Sequence, residues 1–169
     1  GELARLWNAE RNLQVDLIVA PVQGWTRAQF WSETELPFLP TSPNIPSYET
    51  VVLYPGTCLF EGTNLSEGRG TTLPFRVVGA PWLNSRAVVE ALNELALPGV
   101  TAQAVSFTPA FHKYAGQVCQ GVMLHVLDAV VLRPVAMGLH LVWLIRQLQP
   151  EAFQWAATEQ SPTAQPYNH

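Results

Sequence analysis

The sequence predicts an α/β protein in which helices flank a mixed sheet. Three observations lead there. Helical and strand periodicities interleave along the chain instead of forming separate blocks. Glycine and proline pairs punctuate the segments at the ends of those periodic runs. Hydrophobic residues make up 48% of the 169 and charged residues only 13%, about half the usual charged share. Such a chain is too apolar to stay disordered, and part of its surface is expected to be covered by more protein.

Taken in order, "GELARLWNAERN" reads as an amphipathic helix with Leu3, Leu6 and Trp7 on one face. A chain that starts inside a helix is expected to be part of something longer. "LQVDLIVAP" reads as a short strand, Val15, Leu17 and Val19 alternating with their neighbours. "VQGWTRAQFWSETELPFLPTSPNIP" is a connection in which Trp25, Phe30 and Trp31 are expected to pack. Its four prolines from Pro37 to Pro46 exclude regular structure there. Ser47 is a good N-cap for the next helix, with Glu49 in its first turn, and Pro55-Gly56 is expected to kink or split it.

"PFRVVGAPW" follows as a strand, and Asn84 can cap a helix over "SRAVVEALNELAL" that stops at Pro98-Gly99. "TAQAVSFTPAF" and "GVMLHVLD" alternate as strands. "RPVAMGLHLVWLIRQLQP" is a helix with Pro134 near its first turn. The tail "AATEQSPTAQPYNH" has no periodicity.

Several function classes fall away. The net charge of −4 and nine scattered basic residues form no stripe that tracks phosphates, which argues against a nucleic-acid partner. No apolar run reaches the ~20 residues of a membrane span, and the first residues read as a helix and not as a signal or transit peptide, which is expected to lie upstream of this stretch. Cys58 and Cys119 have no zinc spacing; they are either paired or two buried thiols. The four histidines never pair at metal spacing, so no metal and no cofactor is expected, and His125 and His140 read as satisfied core residues. Dinucleotide, P-loop and nucleophile-elbow patterns are all missing.

The stretch "CLFEGTNLSEGRGTT" concentrates what polar chemistry there is. It holds three glycines, two glutamates, one arginine and five hydroxyl or amide side chains in fifteen residues. Glu61 and Glu67 are the raw material for glycoside hydrolysis, which needs two carboxyl groups across the scissile bond. Arg69 can grip a substrate carboxylate with two parallel hydrogen bonds. On the plainer reading, Glu61 and Arg69 brace the loop as an ion pair while Glu67 stays solvated. A second polar stretch, "FTPAFHKYAG", carries the only lysine, Lys113, between His112 and Tyr114. It reads as an ordinary turn or as a group that orients a sugar.

"SPNIPSYETVVLYPGTCLFEGTNLSEGRGTTLPFRVVGAPW" resembles the most recognisable segment of the NamZ-type exo-β-N-acetylmuramidases, a glycoside hydrolase family first described as a domain of unknown function. The resemblance continues through "FTPAFHKYAGQVCQGVMLHV" and "RPVAMGLHLVWLIRQLQPEAFQW". It implies an enzyme that removes N-acetylmuramic acid from the non-reducing ends of peptidoglycan fragments, with its active site between a Rossmann-like N-terminal domain and a smaller C-terminal one. On that basis residues 1–40 are expected to be the end of the first domain and its connection, and residues 41–169 a C-terminal domain truncated at its end. The absent first half, with its Gly-Pro-Glu-His-Gly motif, then becomes the chain's natural partner. The resemblance puts catalytic roles on Glu61 and Glu67, and substrate contacts on Thr63, Asn64, Arg69, Thr71, Lys113 and Tyr114. Muramic acid-containing saccharides are the implied ligands, and a periplasmic or secreted bacterial protein the implied location. The alternative is a non-catalytic module that binds muropeptides.

Overall fold

The computed structural model describes residues 1–156. The tail read as aperiodic lies almost wholly outside them. The chain forms two compact units, Gly1–Leu36 and a larger one beginning at Pro37.

The first unit holds helix α1 (Glu2–Glu10) and a single 3₁₀ turn, Trp31–Glu33. Leu3, Leu6 and Trp7 are all exposed on α1. The strand expected over residues 13–21 does not form. A strand needs a neighbour to satisfy its N–H and C=O groups, and no described strand runs beside this segment. Instead the Asn8 side chain takes both backbone groups of Val15, accepting from its N–H and donating to its carbonyl, each at 3.0 Å. Trp25 and Trp31 stay partly exposed where packing was expected.

In the second unit, α2 (Tyr48–Thr57) starts as its cap residue dictates, with Thr50 N donating to Ser47 Oγ at 3.2 Å. The helix runs through Pro55 instead of splitting there, then tightens into a 3₁₀ turn over Cys58–Gly62. Pro55 withholds one N–H from the preceding turn. The neighbouring Gly56 lets α2 touch another helix, α4 (Pro134–Leu148), backbone to backbone. A Cβ on Gly56 would run into the Pro134 carbonyl, and one on Gly138 would strike the Gly56 carbonyl. Pro134 opens α4 at a position where the missing N–H costs nothing.

Between these helices lie β1 (Val77–Ala80), α3 (Ser85–Glu94, capped by Asn84), β2 (Val100–Phe107) and β3 (Cys119–Val126). The α/β class with flanking helices holds, but both ladders among the described strands are antiparallel, in the order β1-β3-β2. β1 and β2 run parallel to each other through the α3 crossover, and β3 inserts between them. That insertion removes the parallel contact a mixed sheet would contain. Alternation sends Val78, Ala80, Ala102, Val122 and Leu124 to one face. There they join Leu53, Phe60, Leu65, Val88, Met137, Leu141 and Ile145 in one core. His140 is exposed on α4, not part of this core, and His125 lies 3.2 Å from the Gln103 amide on β2. Both cysteines are free thiols.

Candidate functional site

The polar loop leaves α2 through the 3₁₀ turn and is pinned at two places. Ser66 and Gly79 exchange both backbone hydrogen bonds, at 2.8 and 2.9 Å, tying the loop to the edge of β1. Asn64 ties it to the segment after α4. Its N–H donates to Gln154 O, its side-chain amide donates to Ala152 O, and its Oδ1 accepts from Gln154 N, all within 2.9–3.0 Å. Thr63, buried beside it, donates to Phe60 O and accepts from Leu65 N. Thr71 does the same one turn later with Gly68 O and Leu73 N. Gly68 and Gly70 adopt φ of 81° and 82°, where a Cβ would also meet Leu73 O or the Phe111 backbone, so glycine is required at both.

Glu67 sits at the centre of this frame. Its side chain is 0% exposed. Arg69 Nη1 donates to Oε1 at 2.7 Å, Lys113 Nζ donates to Oε2 at 3.1 Å, and His112 Nδ1 lies 3.3 Å from Oε1. Burial alone would push this carboxyl up, but the Lys113 charge and the hydrogen bonds from Arg69 and Lys113 outweigh it and hold it below the usual carboxylate range. The solvated Glu67 of the plainer sequence reading is therefore not what forms. The Glu61–Arg69 pair of that reading is present, with Nη2 donating to Oε1 at 2.6 Å.

Arg69 bridges the two carboxylates and stacks 4.8 Å over the Phe75 ring. Phe75 holds this position with a backbone φ of 60°, a conformation that costs a bulky residue about 1–3 kcal/mol. Burial works against the guanidinium charge, but its bonds to Glu67 and Glu61 win and push its pKa up. The outcome is a chain of decreasing burial. Glu67 is wholly covered, Arg69 keeps 22% of its side chain accessible, and Glu61 keeps 36%.

The turn after β2 closes the frame from the other side. Lys113 Nζ also donates to Phe60 O and Leu65 O, each at 2.9 Å, so its three protons are all committed. Tyr114 donates its hydroxyl to Asn64 O at 2.6 Å and accepts from Trp82 Nε1 at 3.2 Å. All eight residues singled out in the sequence thus converge on one loop. Glu61 and Arg69 offer accessible charged atoms, while Thr63, Asn64, Glu67, Thr71, Lys113 and Tyr114 spend theirs within the frame. His112 was not among the eight. Its only sequence signal was its place next to the single lysine. Among the described residues no three His, Cys, Asp or Glu side chains cluster as a metal site, and no helix is long and apolar enough to cross a membrane.

Comparison with known proteins gives this loop a context. Residues 52–167 match the family model described as the exo-β-N-acetylmuramidase NamZ C-terminal domain, and residues 1–49 match its N-terminal counterpart. A peptidoglycan β-N-acetylmuramidase NamZ of Bacillus subtilis (strain 168) is 47% identical over 158 residues, which cover 94% of this chain and 38% of that protein. A crystal structure of a DUF1343 family protein from Bacteroides fragilis NCTC 9343 superposes with a TM-score of 0.76 at 30% identity, over 88% of this chain and 40% of that one. The chain therefore spans about two fifths of the length of either relative. With both family models matched and nearly half its residues shared with a curated member, this chain belongs to the NamZ exo-β-N-acetylmuramidase family.

Proposed function

We propose that this chain is the substrate-contacting part of an exo-β-N-acetylmuramidase that releases N-acetylmuramic acid from the non-reducing ends of peptidoglycan fragments. The observation that carries the reading is the graded chain from buried Glu67 through Arg69 to accessible Glu61. It supports a rigid, charged rim of the kind that orients a sugar acid. Arg69 is assigned to the lactyl carboxylate and Glu61 to the sugar's hydroxyl or reacting oxygens, while Thr71, bonded to Gly68 O and Leu73 N, helps to fix the loop. Glu67 and Lys113 hold Arg69 and the loop in place, and Thr63, Asn64 and Tyr114 fix the backbone on which they stand. In a protein carrying both family halves, Glu61→Gln and Arg69→Ala should each cut release from a chromogenic β-muramide at least tenfold. Normal rates in both variants would remove the loop from the site.

One observation favours a second reading for the chain by itself. Glycoside hydrolysis needs two carboxyl groups across the bond, and of the loop's two carboxylates only Glu61 is accessible. Binding without turnover is then the expected behaviour, as in a muropeptide-binding module. Calorimetry with a muramic acid-containing disaccharide separates the two, since a binding module gives heat without product. The same reading, with a substrate outside the cytoplasm, puts the parent protein in the periplasm or the medium as an expectation that fractionation of the producing cells tests.

A further inference from the structure

The assigned role of Arg69 raises a charge problem. Glu61 and Glu67 both lean on it, and Lys113 is the other cation of the group. Two carboxylates face two fixed cations, so the cluster holds no positive surplus for an anionic ligand. Lys113 cannot turn outward, because its protons go to Phe60 O, Leu65 O and Glu67. A carboxylate arriving at Arg69 needs another donor close by.

His112 is placed to supply it. Its Nδ1 and Arg69 Nη1 approach the same oxygen of Glu67, at 3.3 and 2.7 Å, so the imidazole and the guanidinium share one buried anchor. Glu67 is wholly covered, yet the His112 side chain keeps 27% of its surface accessible. Among the described residues Nε2 has no hydrogen-bond partner. The turn that carries the ring is fixed from below by Lys113 and Tyr114, each bonded into the 60–67 segment. The backbone is informative too. His112 has φ 73°, a value that asparagine tolerates with least strain among residues with a side chain, and an asparagine amide could also face Glu67. Backbone geometry and the Glu67 contact therefore leave the outer edge of the ring without a use inside the fold.

We infer that His112, as an imidazolium whose Nδ1–H faces Glu67, is a second carboxylate-binding residue, donating from Nε2–H to the sugar acid that Arg69 grips and so selecting N-acetylmuramic acid over its uncharged parent sugar. The inference rests on the reading of the loop as a muramic acid site.

The test is titration of the 169-residue chain, followed by NMR, with N-acetylmuramic acid and with N-acetylglucosamine, which lacks the lactyl carboxylate. His112→Asn keeps the backbone conformation and a donor toward Glu67 but removes Nε2. It should weaken N-acetylmuramic acid binding about tenfold, the size of one lost hydrogen bond. N-acetylglucosamine binding should stay within about twofold, and the melting temperature within about 2 °C. His112→Gln, which carries an amide nitrogen near the Nε2 position, should recover most of the loss. Equal binding of both sugars by His112→Asn and the parent chain overturns the inference and leaves the site reading intact. Failure of the parent chain to bind either sugar overturns both.

Discussion

Replacing Glu67 with glutamine removes one charge from a wholly covered position while keeping the side chain's shape. Removing one partner of a buried ion pair costs about 3–5 kcal/mol, because the other charge is left stranded. Here the stranded cations have other resources. Arg69 still has Glu61, Lys113 still has two backbone carbonyls, and both touch water. The lower end, about 3 kcal/mol, is therefore expected. For a chain of this size that lowers the melting temperature by about 6–12 °C at pH 7. Acid provides a sharper check. The folded carboxyl titrates below its usual value, so its stabilisation is complete above about pH 4.5 and fades as the pH falls through the folded value. The gap between the parent chain and Glu67→Gln, followed by urea unfolding, should thus shrink steadily below about pH 4.5. A variant that melts within about 1 °C of the parent, or a gap that grows on acidification, would refute the account of Glu67 as an ionised anchor.

Arg69→Lys keeps the charge but cannot bridge Glu61 and Glu67 with two nitrogens of one planar group. It should lose about 1–2 kcal/mol in urea unfolding and most of the preference for N-acetylmuramic acid. Gly138→Ala would ordinarily favour a helix by up to ~1 kcal/mol. Against the Gly56 carbonyl it should instead destabilise by about 1–3 kcal/mol, and a raised melting temperature would contradict the close helix crossing. Ser47→Ala removes the acceptor of the Thr50 N–H and should cost about 1 kcal/mol by the same measurement, with sugar binding unchanged.

What could be read from the sequence follows the range of the forces involved. Ser47, Asn84 and Pro134 act within one helical turn, and the helices they open begin where the sequence placed them. β2 and β3 were legible because alternation records a buried face. The residue 13–21 segment alternates as well, but alternation cannot say whether a neighbour is present to complete the ladder. The loop's composition advertised a polar centre, and family resemblance pointed to the same residues. The burial of Glu67 was not legible. It depends on Lys113, 46 residues further along the chain, and on His112 beside it. No local pattern distinguishes a carboxylate that will meet such partners from one that will meet water. His112 escaped for the same reason, since its partner Glu67 lies far from it in sequence and nothing local announces the contact.

The glycine contact between α2 and α4 has a mechanical meaning for the loop. One blade, α2, passes directly into the 3₁₀ turn that carries Glu61. The other, α4, ends in the segment whose backbone Asn64 grips. The two helices therefore work as scissors whose pivot is Gly56 on Gly138. From that pivot to the end of α4 is roughly ten residues, about 15 Å of helix, so an opening of only about 5° shifts the far tip by about 1 Å. Displacements of that size are enough to spoil a catalytic alignment. A methyl group added at the pivot would thus be felt at Glu61 and Arg69 as blunted grip, although nothing in the loop itself had changed.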